Sequence, residues 1–210
     1  YYPTYAPFGW DDNGKMKGIY IDVINAALGD RMGLKLAHKA YPWKRAQFMV
    51  EKGEADGLCT AATPARLKYS DQSRESVVEA NFKIYTSADN NHLAELKQVK
   101  SIPELKEFKL VGIFGSGWAK KNLESAGLNI HYAKSMDQLF KLLISNRADA
   151  MVNNEWITRA QINKLGVQDK IIELPTPMQD KPVQFKLLIS KKSPYHKRLG
   201  EMDRVLREMK

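Results

Sequence analysis

The sequence Thr63-Pro64-Ala65-Arg66 places an arginine just after the short apolar run from Ala55 to Cys59. A guanidinium is a planar fork that pairs both oxygens of a carboxylate at once, so an arginine at a strand end is suited to hold an anion. A second pattern with anion chemistry is Gly115-Ser116-Gly117, where the run Lys109 to Phe114 turns into a helix. Backbone N–H groups and the helix dipole favour negative charge at such a start; a glycine turn with a serine cap reads the same way. Tyr5, Phe8, Trp10 and Trp43 are the aromatic candidates for a pocket wall, where a cationic guest would gain a cation–π contribution of about 0.5–2 kcal/mol. Trp43 reads equally as a helix core residue, and Phe8 fits a core better. Arg45, two residues beyond Trp43, either reaches a pocket or is solvated.

Catalytic patterns are thin. His38, His92, His131 and His196 are scattered without ligand spacing, and no Ser/His/acid order emerges. The single cysteine, Cys59, excludes an intrachain disulfide and a multi-cysteine zinc site, and reads as a small core residue. Gly115-Ser116-Gly117 lacks the third glycine of a dinucleotide fingerprint, and no P-loop is present. The methionines are dispersed and suit core filling. Neither a metal nor a cofactor is expected.

The elements that must position these groups alternate. A helix runs from Gly18 and ends near Gly29 or Gly33, and Leu34 to His38 alternates as a strand. Pro42 opens a helix that Gly53 closes. Ala55 to Cys59 and Asn81 to Thr86 read as strands. Ser101-x-x-Glu104 and Ser135-x-x-Gln138 are helix-start boxes. Ala148 to Val152 is a strand, Asn154 caps the helix that follows, Val183 to Ile189 is the last strand, and Ser193-Pro194 caps the closing helix. The order implies an α/β protein with parallel crossover units. Gly53-Glu-Ala-Asp56 and Asn146-Arg-Ala-Asp149 fall at matching places in two halves, which marks either two similar lobes or two similar helix-to-strand turns.

The chain has 210 residues, enough for one large domain or two small lobes. With 43% hydrophobic and 27% charged residues, disorder is excluded, and no apolar run approaches a membrane span. The net charge of +9 is uneven: residues 1–86 with 181–210 carry +8, and residues 87–180 carry +1. Acids interleave with the bases and no nucleic-acid motif is present, so no nucleic-acid partner is expected. The charge suits a basic surface that draws in small anions. The first residue is Tyr1 and no charged-then-apolar leader follows, which reads as a processed or trimmed chain.

In this order the sequence resembles the bacterial extracellular solute-binding proteins of family 3, the periplasmic amino-acid-binding type. The matching residues are Tyr5-Ala-Pro-Phe8, then Asp12-Asn-Gly-Lys-Met-Lys-Gly18 leading to Asp22. Gly53-Glu-Ala-Asp56 follows, then Thr63-Pro-Ala-Arg66 with Ser70. Val111-Gly-Ile-Phe-Gly-Ser116 and Arg147-Ala-Asp-Ala150 complete the series. The resemblance implies a type II periplasmic-binding-protein-like fold of two lobes, each a mainly parallel sheet flanked by helices. The crossovers would lie near Tyr85–Ala88 and Gln179–Val183. Lobe 1 is then residues 1–86 and 182–210, and lobe 2 is residues 87–181.

The same resemblance assigns Arg66 to a ligand carboxylate and Tyr5 and Trp43 to packing over the ligand. Ser116 and Gly117 become the second lobe's anion contact. The expected ligand-binding set is Tyr5, Trp10, Trp43, Thr60, Ala61, Arg66, Ser116, Gly117, Asn154 and Glu155. The departures are informative. Only four residues precede Tyr5, where the family has a strand, and the loop Cys59–Thr63 is about two residues short, leaving Thr60 as its remaining hydroxyl candidate. The family's ammonium-binding aspartate is replaced by Asn154, followed by Glu155. That pattern suits a carboxylate ligand without a standard α-amino group. The implied function is capture of a small carboxylate-bearing ligand, an amino acid or related compound, by hinge closure outside the cytoplasmic membrane. The protein would act as a monomer, with a membrane permease or a sensor as partner. The alternative is an enzyme of the same fold, such as a dehydratase using Glu155 as general acid.

Overall fold

The computed structural model describes residues 4–210. Its strands are β1 (Thr4–Tyr5), β2 (Gly9–Asp12), β3 (Lys15–Lys17), β4 (Gly57–Thr60), β5 (Ser70–Ala80) and β6 (Phe82–Ser87). They continue as β7 (Leu110–Ile113), β8 (Ile130–Ala133), β9 (Ala150–Asn154), β10 (Ile171–Pro177) and β11 (Val183–Ser190). The helices are α1 (Ile19–Ile24), α2 (Trp43–Lys52), α3 (Pro64–Leu67), α4 (Leu93–Leu96), α5 (Gly117–Asn122), α6 (Met136–Ile144), α7 (Glu155–Leu165) and α8 (Leu199–Glu208). The chain divides into two compact units, residues 1–79 with 183–210 and residues 80–182. The first division falls before Tyr85–Ala88 because β6 pairs with β9 and β10, both strands of the second unit.

In the first unit, β1, β2 and β3 form a small antiparallel sheet, and a second sheet runs β4-β11-β5. β11 lies antiparallel to β4, with Leu187 opposite Cys59 and Leu188 opposite Leu58. The segment before α1 is fixed by backbone bonds: Ile19 N donates to Pro7 O (3.0 Å) and Tyr20 N to Phe8 O (2.9 Å). The close approach requires Gly18, whose φ is +119° and whose missing Cβ would lie 2.7 Å from Phe8 O. Phe8 is fully buried and packs against Tyr5, Tyr20 and Phe185 at 5.0–5.2 Å between ring centres. α1 continues as a π-helix over Asn25–Arg31, and Gly33, with φ +66°, ends it. α2 begins after Pro42 and stops at Gly53 in the left-handed region, as its sequence requires.

The segment Leu34–His38 alternates between half-buried and exposed side chains, yet it forms no strand ladder. Its side chains satisfy the period of a strand, and it lines one cavity with Gly57 and Leu58 of the edge strand β4, but it is not joined to β4 by a ladder. The long strand β5 is the opposite case, polar along its first half and without a sequence signal. Its ladder is completed by side chains. Asp203 on α8 accepts from Arg74 N (2.7 Å) and Glu75 N (3.1 Å), and the Ser73 hydroxyl accepts from Leu187 N.

The second unit is one five-stranded sheet of order β10-β6-β9-β7-β8. β7 lies parallel to β8 and β9, whereas β6 lies antiparallel to β9 and β10. The expectation of mainly parallel sheets is therefore corrected. The second sheet is mixed, since β6, entering from the first unit, runs against β9 and β10. In the first unit the re-entering β11 runs against β4, and the small sheet is antiparallel through short turns between consecutive strands. Alternation along the strands sends Ile84, Leu110 and Val152 to one core and Tyr85, Val111 and Met151 to the other, so both faces are covered. The two Ala-Asp turns do similar work. Asp56 accepts from the Ser193 hydroxyl (2.7 Å), and Asp149 accepts from Lys109 N (2.7 Å), each tying a strand entry to a neighbouring segment.

Gly18→Ala forces a Cβ into the Pro7–Phe8 carbonyls at a φ that L-residues avoid. The expected loss is roughly 2–4 kcal/mol of stability, read as a lower urea midpoint with far-UV circular dichroism of the folded state unchanged.

Candidate functional site

Arg66 is built into position from its backbone outward. Thr63 caps α3, its Oγ1 accepting from Arg66 N (3.3 Å), with Pro64 at the first helical position. The Ser70 hydroxyl donates to Arg66 O (2.9 Å). The guanidinium is then aimed by three further contacts. Its Nε donates to Gln47 Oε1 (3.0 Å), its Nη1 donates to Ala61 O (2.6 Å), and its Cζ lies 5.1 Å from the centre of the Trp43 ring. Burial draws the guanidinium below its ordinary value, with Tyr69 acting in the opposite sense, and the group stays charged. Among the described residues no carboxylate stands at ion-pair distance from it.

This arginine borders a cavity of about 380 Å³ that lies wholly within the first unit. Tyr5, Tyr20, Trp43 and Phe185 wall it, and Thr60 and Arg66 supply polar groups. Gly9 and Cys59 complete the lining; burial pushes the Cys59 thiol well above its ordinary value. Burial likewise raises the Tyr5 hydroxyl, so the wall is neutral and the one fixed charge is the cation. A mostly aromatic concavity with one charged donor group suits a small anionic molecule bearing an apolar part.

In the second unit, Ser116 caps α5, its Oγ accepting from Ala119 N (3.2 Å), and the space beside Gly117 is open. Asn154 caps α7, its Oδ1 accepting from Trp156 N (3.0 Å) and Ile157 N (3.2 Å). Glu155 is buried, and its Oε1 accepts from both the backbone N and the side-chain amide of Asn81 (2.7 and 3.1 Å). Its Oε2 faces Lys83 (3.5 Å) and Arg159 (3.6 Å). The same two cations grip Glu173, at 2.8 Å from Lys83 and 2.6 Å from Arg159, and the Tyr85 hydroxyl donates to it as well (2.7 Å). Burial pushes the Glu173 carboxyl up, but the hydrogen bonds from Arg159, Lys83 and Tyr85 outweigh it and hold the group at about 2. The cluster contains two anions and two cations and neutralises itself.

A family model described as bacterial extracellular solute-binding proteins, family 3, matches residues 1–122. The chain belongs to this family. Among curated proteins of similar sequence is a probable amino-acid-binding protein, YxeM, of Bacillus subtilis. It is 27% identical over 175 residues, a match covering 79% of this chain and 61% of the relative's length. Among solved structures, the L-cystine solute receptor of Neisseria gonorrhoeae in its unliganded open conformation superposes with a TM-score of 0.77 at 22% identity. That match covers 99% of this chain and 84% of the receptor. The second substrate-binding domain of Lactococcus lactis GlnP gives 0.73 at 21% identity, covering 99% and 86%. These solved structures share the fold of the family-3 chain, that of type II periplasmic binding proteins.

Of the residues expected to bind, the structure gathers Tyr5, Trp43, Thr60, Ala61 and Arg66 around one place. Trp10 does not line the cavity. Neighbours on a strand point to opposite sides, and in β2 it is Gly9 that faces the cavity. Ser116, Gly117, Asn154 and Glu155 belong to the second unit, where the polar side chains serve as caps or cluster members. Tyr20, Phe185 and Gln47 were not among the expected residues. For Gln47 the usable signal was its position one helical turn beyond Trp43.

Glu173 sits below its ordinary 4.5 in the folded state, so its contribution to stability is complete above about pH 4.5 and is lost as the pH falls toward 2. Glu173→Gln is expected to lower stability at pH 7 by roughly 1–3 kcal/mol, between an exposed and a buried pair. It also makes the acid limb of a stability–pH curve shallower, which denaturant titrations from pH 7 to pH 2.5 measure.

Proposed function

We propose that this family-3 chain captures a small carboxylate-bearing solute, an amino acid or related compound, in the cavity beside Arg66. The observation that carries the reading is a part-buried guanidinium without a carboxylate partner among the described residues, aimed by Gln47, Ala61 and Trp43. The name of the curated relative, a probable amino-acid-binding protein, supports the ligand class. Tyr5, Trp43 and Thr60 are the proposed contacts beyond the carboxylate. The engagement of Asn154 and Glu155 within the second unit supports a guest that does not rely on its α-ammonium group for affinity. The same engagement weighs against Glu155 as a general acid, and the proposal is binding without turnover.

The family's extracellular description supports action outside the cytoplasmic membrane, and no helix of the described residues is long and apolar enough to cross one. Hinge closure is the proposed mode of capture, and a permease or a sensor is the proposed partner of the loaded protein.

A thermal-shift screen against amino acids, their deaminated 2-oxo acids, polyamines and sugars tests the reading. A guest at 100 times its dissociation constant stabilises the fold by about 2.7 kcal/mol. The expected hits carry a carboxylate, and each amino acid and its 2-oxo acid differ less than tenfold in affinity. Arg66→Ala weakens them 30-fold or more, equivalent to about 2 kcal/mol. A polyamine or sugar hit indifferent to Arg66→Ala refutes the ligand class.

A further inference from the structure

Gln47 lies outside the cavity lining, yet it takes one of the five N–H donors of Arg66. Its Oε1 accepts from Arg66 Nε at 3.0 Å. The orientation of the amide is itself fixed. Its Nε2 points back at Trp43 O (3.4 Å), one turn earlier on α2, and a guanidinium has donors only, so the oxygen must face it. The Trp43 ring lies 5.1 Å from Cζ, and Nη1 is tied to Ala61 O at 2.6 Å. Residues 43 and 47 thus hold Arg66 from one helix face, at the spacing that brings side chains together. Three donors remain, one on Nη1 and two on Nη2.

We propose that Gln47 is a positioning residue that sets which edge of Arg66 receives a carboxylate: with Nε occupied, the Nε–Nη2 edge is closed and the guest docks along the Nη1–Nη2 edge. The inference rests on the reading of Arg66 as the carboxylate anchor. It also accounts for a neutral side chain at position 47. A glutamate there would make the same bond to Nε and cancel the charge that the guest needs. A leucine would leave Nε without its acceptor and free the guanidinium to rotate.

The test follows the Arg66 side chain by ¹H–¹⁵N NMR in the full chain, with sodium acetate as the carboxylate probe and Gln47→Leu and Gln47→Glu as variants. In the native protein, Nε–H exchanges slowly with water and acetate shifts the guanidinium resonances. Gln47→Leu is expected to speed Nε–H exchange at least tenfold and weaken acetate three- to tenfold. Gln47→Glu is expected to keep Nε–H protected yet weaken acetate at least tenfold, a split that a purely structural role would not produce. Native exchange and native acetate affinity in Gln47→Leu overturn the inference. Should that variant not fold, native acetate affinity in Gln47→Glu overturns it. Acetate that leaves the native Arg66 resonances unmoved, with Nε–H still protected through Gln47, refutes instead the carboxylate reading and with it the guest-directing role.

Discussion

A guanidinium cannot shed its charge at any ordinary pH, so a protein that takes one partly out of water must give its donors somewhere to go. The first unit meets that constraint only in part. The Thr63 cap and the Ser70 hydroxyl secure the backbone of Arg66, Gln47 and Ala61 take two of its donors, and Trp43 covers one face. The rest of the cavity wall follows from this. An ionised acid among Tyr5, Tyr20, Phe185 and Thr60 would satisfy the arginine internally; their neutrality leaves the demand unmet and directed at whatever enters.

The second unit handles charge in the opposite way. Lys83 and Arg159 are bracketed by Glu155 and Glu173, with Tyr85 and Asn81 filling the remaining acceptor sites. Such a cluster contributes rigidity at the start of α7 and along β6 and β10, and it presents little net field. One half of the molecule holds an unbalanced cation at its cavity, and the other pairs the charges of this cluster.

Much of this was legible in the sequence wherever a single residue type dictates local geometry. Pro42 and Gly53 delimit α2, Thr63-Pro64 starts the turn that carries Arg66, and Ser135 and Asn154 cap their helices. The family motifs brought Arg66 forward as a ligand residue, and that role remains the one proposed for it. What could not be read depends on partners far along the chain. β5 is polar along its first half, and the acceptor for its Arg74 and Glu75 backbone N–H groups is Asp203, some 130 residues away. Leu34–His38 has a strand's alternation but joins no ladder, and Trp10 and Gly9 exchange faces on a detail of strand register. Gln47 resembles an ordinary surface residue until the arginine it meets is placed, and Glu155 stands out beside Asn154 without any sign of its partners Asn81 and Lys83, more than 70 residues earlier.

Cys59 is the single cysteine of the chain, buried at the end of β4, with a thiol held strongly toward its protonated form. Disulfide exchange proceeds through the thiolate and needs access for an attacking or attacked sulfur. Burial disfavours the thiolate here, while the sulfur's place in the cavity lining limits its approach to molecules small enough to enter. The sulfur's position, and not a pairing partner, thus sets its chemistry, and a guest seated beside Arg66 would cover it.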